Sequence, residues 1–179
     1  MKLHLGCGDI HLSGYVNVDI VTDAAADVIA DLRVLPLALS TAAQVYSCAV
    51  LEHFGRNQWK DVLKHWFDVL EPGGLLRIST NDFDAARQRY AEEENLEELL
   101  GLLIGGQKTE YDWHGMIFDF PTLSAGLEEA GFVDVRCYDW CRTFVGREGI
   151  DDYSQAYLPH MDKENGRLMM LNVEANRPT

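Results

Sequence analysis

Short apolar runs alternate with longer amphipathic stretches along most of this chain. The short runs are rich in β-branched residues and either alternate apolar with polar positions or are apolar throughout, a pattern typical of β-strands. The predicted strands are Leu3–Leu5, Tyr15–Asp19, Asp27–Asp31, Gln44–Ala49, Leu75–Ser79, Phe132–Trp140 and Leu168–Ala175.

The stretches between these strands predict helices. From Asn57 to Leu70 apolar residues recur every three or four positions, which indicates an amphipathic helix. Two more helices are predicted at Asp84–Leu103, which is polar at first, and at Pro121–Ala130, which is followed by a glycine. The stretch from Arg142 to Gly166 is irregular, with one helix predicted near Tyr153–Met161.

This order of elements predicts an α/β fold with a doubly wound, mostly parallel seven-stranded sheet and helices on both faces. We expect the last strand to pair antiparallel at one edge. No repeat or linker divides the sequence, so residues 1–179 are predicted to form a single domain. Residues 83–119 form a helical and loop insertion that we expect to act as a substrate lid.

Composition and charge narrow the classes of function. The chain has 179 residues, 47% of them apolar, and a formal net charge of −14 at pH 7 without a basic patch, which argues against nucleic acid as a partner. No apolar run approaches the roughly 20 residues that span a bilayer, and the N-terminus lacks the apolar core of a signal peptide. We therefore expect a cytoplasmic protein that acts on neither nucleic acid nor membrane.

The four cysteines do not indicate a disulfide framework or a metal site. A chain without an export signal is expected to keep its thiols reduced. No second pair of cysteine or histidine residues has the spacing of a zinc site, so we predict no metal.

Glycines and acids follow the first three strands in order. Gly6 and Gly8 end the first strand, Asp19 ends the second and Asp31 ends the third. In an open α/β sheet, ligands bind outside the carboxyl ends of the strands, where glycine allows a close approach to the backbone. Asp19 can accept hydrogen bonds from a ribose diol and Asp31 from an exocyclic amine, which together describe an adenosine pocket. The alternative is that both acids are turn or cap residues.

These features resemble the class I S-adenosylmethionine-dependent methyltransferases over nearly the whole chain. LHLGCG is similar to the glycine motif of that family, VNVDI to its ribose-binding strand end and ADLRVLPL to its third-strand acid. VYSCAVLEHF is similar to the fourth-strand segment of small-molecule members, and LEPGGLLRIST to the turn and strand that follow.

The resemblance implies a Rossmann-like methyltransferase fold, S-adenosyl-L-methionine (SAM) as cofactor, and methyl transfer to an oxygen or nitrogen of a small-molecule substrate. It implies cofactor-binding positions at Leu5, Gly6, Cys7, Gly8, Asp19, Ile20, Asp31, Leu32, Cys48, Ala49 and Leu51.

One departure from the family pattern concerns the first helix. Only ten residues separate Gly8 from Asp19, so this helix must be absent or shortened. In this respect the chain resembles a short bacterial subgroup that carries a GCG…NVD motif. The cofactor would then be more open on one side. We expect the segment 141–166 to cover it, or a second subunit in a homodimer.

Two histidines are candidates for the catalytic base. His53 follows the fourth strand, at a position that points toward the sulfonium in the resembled fold, and an imidazole exchanges protons near neutral pH. His114 lies in an aromatic loop with Tyr111, Trp113 and Phe118, three residues that could wall a substrate site. The alternative is that His53 only orders its loop and that the aromatic residues pack the insertion.

Two other functions stay open. A nicotinamide-dependent oxidoreductase would show the longer G-x-G-x-x-G pattern, whereas Ile10 and His11 stand where further glycines would come. A non-catalytic relative that binds the cofactor or serves as a structural subunit is compatible with the short chain.

Overall fold

The N-terminal apolar run forms an inner strand of the main sheet in this computed structural model, which describes residues 1–144 and 152–179. The strands are β1 (Lys2–Leu5), β2 (Val16–Asp19), β3 (Val28–Ile29), β4 (Ala42–Cys48), β5 (Leu70–Asn81), β6 (Val133–Cys137), β7 (Tyr157–Leu158), β8 (Arg167–Leu168) and β9 (Met170–Asn176). The α-helices are α1 (Trp59–Val69), α2 (Phe83–Glu93), α3 (Leu100–Ile104), α4 (Phe120–Ala130) and α5 (Trp140–Phe144). Single 3₁₀ turns lie at Leu51–His53, Glu97–Leu99 and Tyr153–Gln155.

Seven strands form one sheet in the order β3-β2-β1-β4-β5-β9-β6. Strands β1 to β5 pair in parallel, and β9 pairs antiparallel with both β5 and β6. This confirms the predicted α/β fold class, a mostly parallel seven-stranded sheet whose last strand is antiparallel. Because β9 lies between β5 and β6, it is β6 that forms the outer edge.

No helix forms between β1 and β2, in residues 6–15, as the short spacing predicts. The buried amide of Asn17 organises this loop instead. Its Oδ1 accepts a hydrogen bond from the main-chain N–H of Leu12 (2.9 Å), and its Nδ2 donates to the Leu12 carbonyl (3.2 Å). Nδ1 of His4 donates to the same Oδ1 over 3.0 Å. A buried amide with its hydrogen bonds satisfied can fix a loop that has no helix to support it.

Strand β5 begins earlier than predicted, at Leu70. Its pairing with β4 changes from Ala42 opposite Leu70 to Gln44 opposite Leu75, so residues 71–74, with their Pro-Gly-Gly sequence, form an irregularity in the ladder. Proline cannot donate a ladder hydrogen bond, which accounts for the break at this point.

Two predicted helices are wrong in extent. The stretch 84–103 is interrupted because α2 is followed by Glu94, whose φ of 50° is left-handed, and a 3₁₀ turn separates it from α3. Neighbouring glutamates repel one another at helical spacing and weaken a continuous helix there. Near 153–161 only one 3₁₀ turn forms before β7, and Pro159 lacks the N–H that a continuing helix needs.

The main core lies between one face of the sheet and helices α1 and α4. Trp66 of α1 is fully buried, and its Nε1 donates to the carbonyl of Leu32 over 3.0 Å. On the same helix, Nε2 of His65 accepts a hydrogen bond from the main-chain N–H of Leu35 over 2.8 Å. Helix α1 therefore holds the loop that follows β3 in place.

The opposite face of the sheet is covered by irregular chain. Alternate side chains of β4 point to this face, and Tyr46 packs there in a second buried cluster with Leu12 and Tyr138. The segment after residue 151 lies on the same face: the Tyr46 hydroxyl donates to the carboxylate of Asp152, and Asn172 Nδ2 donates to the Ser154 carbonyl over 3.0 Å.

Candidate functional site

A cavity of about 830 Å³ opens beside the carboxyl ends of β1, β2 and β4. This is a volume typical of small-molecule and cofactor sites, and the carboxyl ends of parallel strands are where α/β sheets bind ligands. Most of the predicted site residues line it, namely Gly6, Cys7, Gly8, Asp19, Ile20, Asp31, Leu32, Cys48, Ala49 and His53.

Three predicted site residues lie elsewhere. Leu5 and Leu51 are fully buried in the main core, where they support the cavity wall from behind. His114 does not line the cavity, but its ring meets that of His53 edge to face, with 4.9 Å between the ring centroids.

The two glycines after β1 have different physical requirements. Gly6 has a left-handed φ of 72°, and a Cβ there would lie 2.1 Å from Cγ2 of Val50. Gly8 also has a positive φ, of 50°, yet nothing lies within 4 Å of where its Cβ would be. Gly6 is therefore needed for packing behind the cavity, whereas Gly8 leaves open space on the cavity side.

Asp19 is held in a fixed orientation at the end of β2. Its Oδ2 accepts a hydrogen bond from the N–H of Gly8 over 2.8 Å, and its Oδ1 accepts one from the N–H of Val21 over 2.9 Å. The residue is only 7% exposed. Each carboxylate oxygen can accept a further hydrogen bond, so Asp19 can receive two hydroxyl donors of a diol.

Asp31 has a partner that the sequence did not reveal. Its carboxylate accepts from Nε and Nη2 of Arg33, with Nε–Oδ2 and Nη2–Oδ2 distances of 2.9 and 2.6 Å. The side-chain hydrogen bond from Arg33 holds the pKa of Asp31 below its usual value. Arg33 also lines the cavity, so a donor that reaches Asp31 shares the carboxylate with a guanidinium.

The end of β4 forms the floor of the cavity. Ala49 has a left-handed φ of 54°, a conformation that costs a non-glycine residue on the order of 1 kcal/mol and that recurs at functional sites. Burial raises the pKa of the neighbouring Cys48 thiol well above its usual value. Burial, followed by the charge of Asp19, raises the pKa of Cys7 to about 11. Both thiols are therefore protonated near neutral pH and are poor nucleophiles.

His53 stands half-buried in the 3₁₀ turn after β4. Its Nδ1 donates to the carbonyl of Trp113 over 3.1 Å, which leaves Nε2 as the proton acceptor of the ring. His114 makes the equivalent bond from Nδ1 to the carbonyl of Leu102, over 3.0 Å. Burial, together with the nearby His53, lowers the pKa of His114.

A buried carboxyl group lies behind His53. Glu52 is 1% exposed, its Oε2 accepts from the Thr80 hydroxyl over 2.9 Å, and its Oε1 is buried without a hydrogen-bond partner. Burial raises the pKa of this carboxyl, which favours its neutral form. The main-chain carbonyl of Glu52 accepts from the N–H groups of Gly115 and Met116, at 2.8 and 3.1 Å. Glu52 therefore connects the turn that carries His53 to the loop 113–116.

Several residues that line the cavity were not among the predicted site residues. The predicted lid contributes Glu110, with Tyr111 and Trp113 beside it, and the segment expected as a cover contributes Asp152, Tyr153, Ala156 and Met161. The aromatic loop and the segment 141–166, of which residues 145–151 lie outside the described chain, are the sequence signals for these positions. Phe118, the third aromatic residue expected to wall the site, is instead buried in the main core. His4 also lines the cavity, and only its alternation with Leu3 and Leu5 could have placed it on this face.

The described chain holds neither a metal-binding cluster nor a membrane-spanning helix. Across residues 1–144 and 152–179, no three His, Cys, Asp or Glu side chains are grouped so that they could hold a metal ion. In the same residues, no helix is both long and apolar enough to cross a membrane.

Several solved structures share the fold of this chain. A candidate exported protein of Bordetella parapertussis is 15% identical with a TM-score of 0.61, and the match covers 99% of this chain and 62% of that one. A candidate methyltransferase of Haloferax volcanii, solved in complex with the Trm112 methyltransferase activator, is 13% identical with a TM-score of 0.61, over 99% of this chain and 82% of that one. A SAM-dependent methyltransferase of Methanosarcina mazei is 17% identical with a TM-score of 0.60, over 99% and 92%.

These likenesses concern the fold. The chain has the Rossmann-like α/β fold of the SAM-dependent methyltransferases, and it spans only 62% of the length of the Bordetella protein. No protein-family profile and no curated protein matches it.

Proposed function

We propose that this protein transfers a methyl group from SAM to an oxygen or nitrogen of a small-molecule acceptor. The observation that carries the proposal is Asp19, whose two carboxylate oxygens are each fixed by one main-chain N–H, with Gly8 open to the cavity beside it. This arrangement fits a ribose diol next to a close backbone approach.

The residues that would hold SAM follow the order of the strands. Gly6, Cys7 and Gly8 offer main-chain contacts, Asp19 and Ile20 face the ribose, Asp31 and Leu32 flank the adenine, and Cys48 and Ala49 form the floor. When bound, SAM supplies an activated methyl group on a sulfonium, so the protein has mainly to align the acceptor and exclude water.

In this proposal His53 takes the proton of the acceptor. Its Nδ1 is occupied by the Trp113 carbonyl, so Nε2 is the atom that can receive a proton. His114 supports the same wall from behind, since its ring contacts His53 edge to face. The predicted lid, residues 83–119, would close the acceptor end through Tyr111 and Trp113.

The proposal further takes the chain to act in the cytoplasm on a small molecule, without nucleic acid or membrane as partner. A homodimer is part of the prediction because a second subunit could extend the cover over the cavity. Size-exclusion chromatography with multi-angle light scattering measures this directly, and a monomer mass at working concentration would contradict it.

Formation of S-adenosylhomocysteine (SAH) across a panel of small hydroxyl and amine acceptors tests methyl transfer. We expect at least one acceptor to be turned over, and His53→Gln to lower kcat by about 10²- to 10⁴-fold, the range for loss of a general base. The control is His160→Gln, an exposed histidine that does not line the cavity. Unchanged kcat in His53→Gln would remove His53 as the base. Binding of SAM without transfer to any acceptor would favour the non-catalytic alternative.

A further inference from the structure

The wall next to His53 exposes aromatic rings to the cavity. Trp113 is 55% exposed and Tyr111 is 47% exposed, and both line the cavity. Burial of apolar surface away from water is favourable by about 25 cal/mol for each Å². Two large rings exposed on one wall of a concave site are what an apolar ligand would cover.

The loop that carries these rings is a defined turn. The Asp112 carbonyl accepts from the N–H of Gln107 over 2.9 Å, and its carboxylate accepts from the N–H groups of Gly106 and Lys108, each over 3.3 Å. A Cβ on Gly105 would lie 2.3 Å from the carbonyl oxygen of Asp112. The positions of Glu110, Tyr111 and Trp113 therefore follow from the main-chain and side-chain hydrogen bonds of Asp112 and from close backbone packing.

The charges on the cavity wall favour a cation. Among the described residues that line it, Arg33 is the only lysine or arginine, and its guanidinium is bound to the Asp31 carboxylate. Carboxylates of the same wall are Asp9, Asp19, Asp31, Glu110 and Asp152. The described lining therefore carries more carboxylates than cations, and such a wall repels an anionic acceptor and attracts a cationic one.

The described residues at this end of the cavity offer hydrogen-bond acceptors to a donor group. Nδ1 of His53 donates to the main-chain carbonyl of Trp113 over 3.1 Å, so the free nitrogen of that ring, Nε2, is an acceptor. Glu110 lies on the same stretch as Trp113, and its carboxylate is likewise an acceptor.

We infer that the methyl acceptor is a small amine attached to a flat aromatic or apolar group, a conclusion that rests on the proposed function. The flat group would stack on Trp113 and Tyr111, and the ammonium would be attracted to Glu110 and to the faces of the rings. The methylated atom is then nitrogen.

Methyl transfer to this amine takes place in two steps. The ammonium first gives one proton to Nε2 of His53, which frees the nitrogen lone pair. The lone pair forms the new N–C bond, the S–C bond of the donor breaks, and its electron pair stays on sulfur as a neutral thioether. The products are a methylated ammonium and SAH, and the proton on His53 passes to water.

The test uses three probes that share a phenylethyl group and differ in charge: 2-phenylethylamine, 2-phenylethanol and 3-phenylpropionate. Their dissociation constants are measured calorimetrically on the folded protein saturated with SAH. We expect the amine to bind at least about tenfold more tightly than the alcohol, and the carboxylate to bind more weakly still. We expect Glu110→Gln to weaken amine binding about threefold or more and to leave alcohol binding unchanged.

The matched control is Glu97→Gln, which removes one exposed carboxylate that does not line the cavity. Three results would each overturn the inference. They are equal affinity for amine and carboxylate, no amine binding at about 10 mM, and equal effects of Glu110→Gln and Glu97→Gln. Failure of SAH itself to bind would refute the proposed function instead. The probe series would then be measured on the protein alone, and the same criteria would decide the preference for amines.

Discussion

Replacement of Gly6 by alanine should destabilise the protein through two separable effects. Alanine at a left-handed φ, here 72°, costs about 1–2 kcal/mol relative to glycine. The added Cβ would also lie 2.1 Å from Cγ2 of Val50, and forced repacking of this kind costs about 1–3 kcal/mol. The free energy of unfolding should therefore fall by about 2–5 kcal/mol.

Gly8→Ala is the matched control, because its φ of 50° carries the same backbone cost while nothing lies within 4 Å of the added Cβ. Urea unfolding followed by far-UV circular dichroism measures both variants, and Gly6→Ala should be the less stable by about 1–3 kcal/mol. In a chain of this size each kcal/mol corresponds to about 2–4 °C in Tm.

A double variant isolates the steric effect. A Val50→Ala background removes the Cγ2 atom that the new Cβ would meet at 2.1 Å and leaves only the Cβ of residue 50, at 3.2 Å. Gly6→Ala should then cost little more than the backbone contribution. Equal stability of Gly6→Ala and Gly8→Ala, or a Gly6→Ala cost that does not change in the Val50→Ala background, would refute the proposed packing of Gly6 against Val50.

Three further predictions concern stability and thiol reactivity. Hydrogen bonds from the main chain and side chain of Asn17 lower the pKa of Asp27 to about 2, so the stability that Asp27 contributes is present above its unfolded pKa near 4 and is lost as the pH falls toward 2. Asp27→Asn should therefore flatten the dependence of the free energy of unfolding on pH in that range, as measured by urea unfolding. The same pH dependence in both proteins would contradict this. Trp66→Phe should lower the free energy of unfolding by about 1–3 kcal/mol, because the buried Leu32 carbonyl loses its hydrogen-bond donor. A loss below about 0.5 kcal/mol in a urea titration would argue against a stabilising role of this hydrogen bond. Cys137 and Cys141 are exposed, whereas Cys7 and Cys48 are buried. Iodoacetamide should therefore alkylate the exposed pair of the folded protein first, as measured by mass spectrometry. Rapid modification of the buried pair would contradict its burial.

The strands along the chain and the position of the cavity could be predicted because local signals agree with one another. Apolar runs identify β1, β2 and β4, and the residues that follow them line the cavity because carboxyl ends of parallel strands meet at one edge. The missing first helix was also predictable, since the spacing between Gly8 and Asp19 leaves no room for one.

What could not be predicted depends on contacts that are remote in sequence or on side-chain geometry. The covering role of Asp152 depends on its bond to Tyr46, which is 106 positions away. The pairing of Asp31 with Arg33 is local, but aspartate two residues before arginine is too common a pattern to indicate a bidentate contact. Leu5 was assigned to the site by resemblance, whereas strand alternation turns its side chain into the core.

Every proposed function of this protein depends on the binding of SAM in the cavity beside Asp19. Isothermal titration of SAM into the wild-type protein and into Asp19→Asn, with thermal unfolding as a check of the folded state, measures that binding. We predict saturable binding at a ratio of about one to one, and an affinity about 10- to 100-fold lower in Asp19→Asn, since a hydrogen bond to a charged group contributes about 1.5–3 kcal/mol. No heat of binding at millimolar SAM, or equal affinity in the two proteins, would show that the cavity beside Asp19 is not a SAM site.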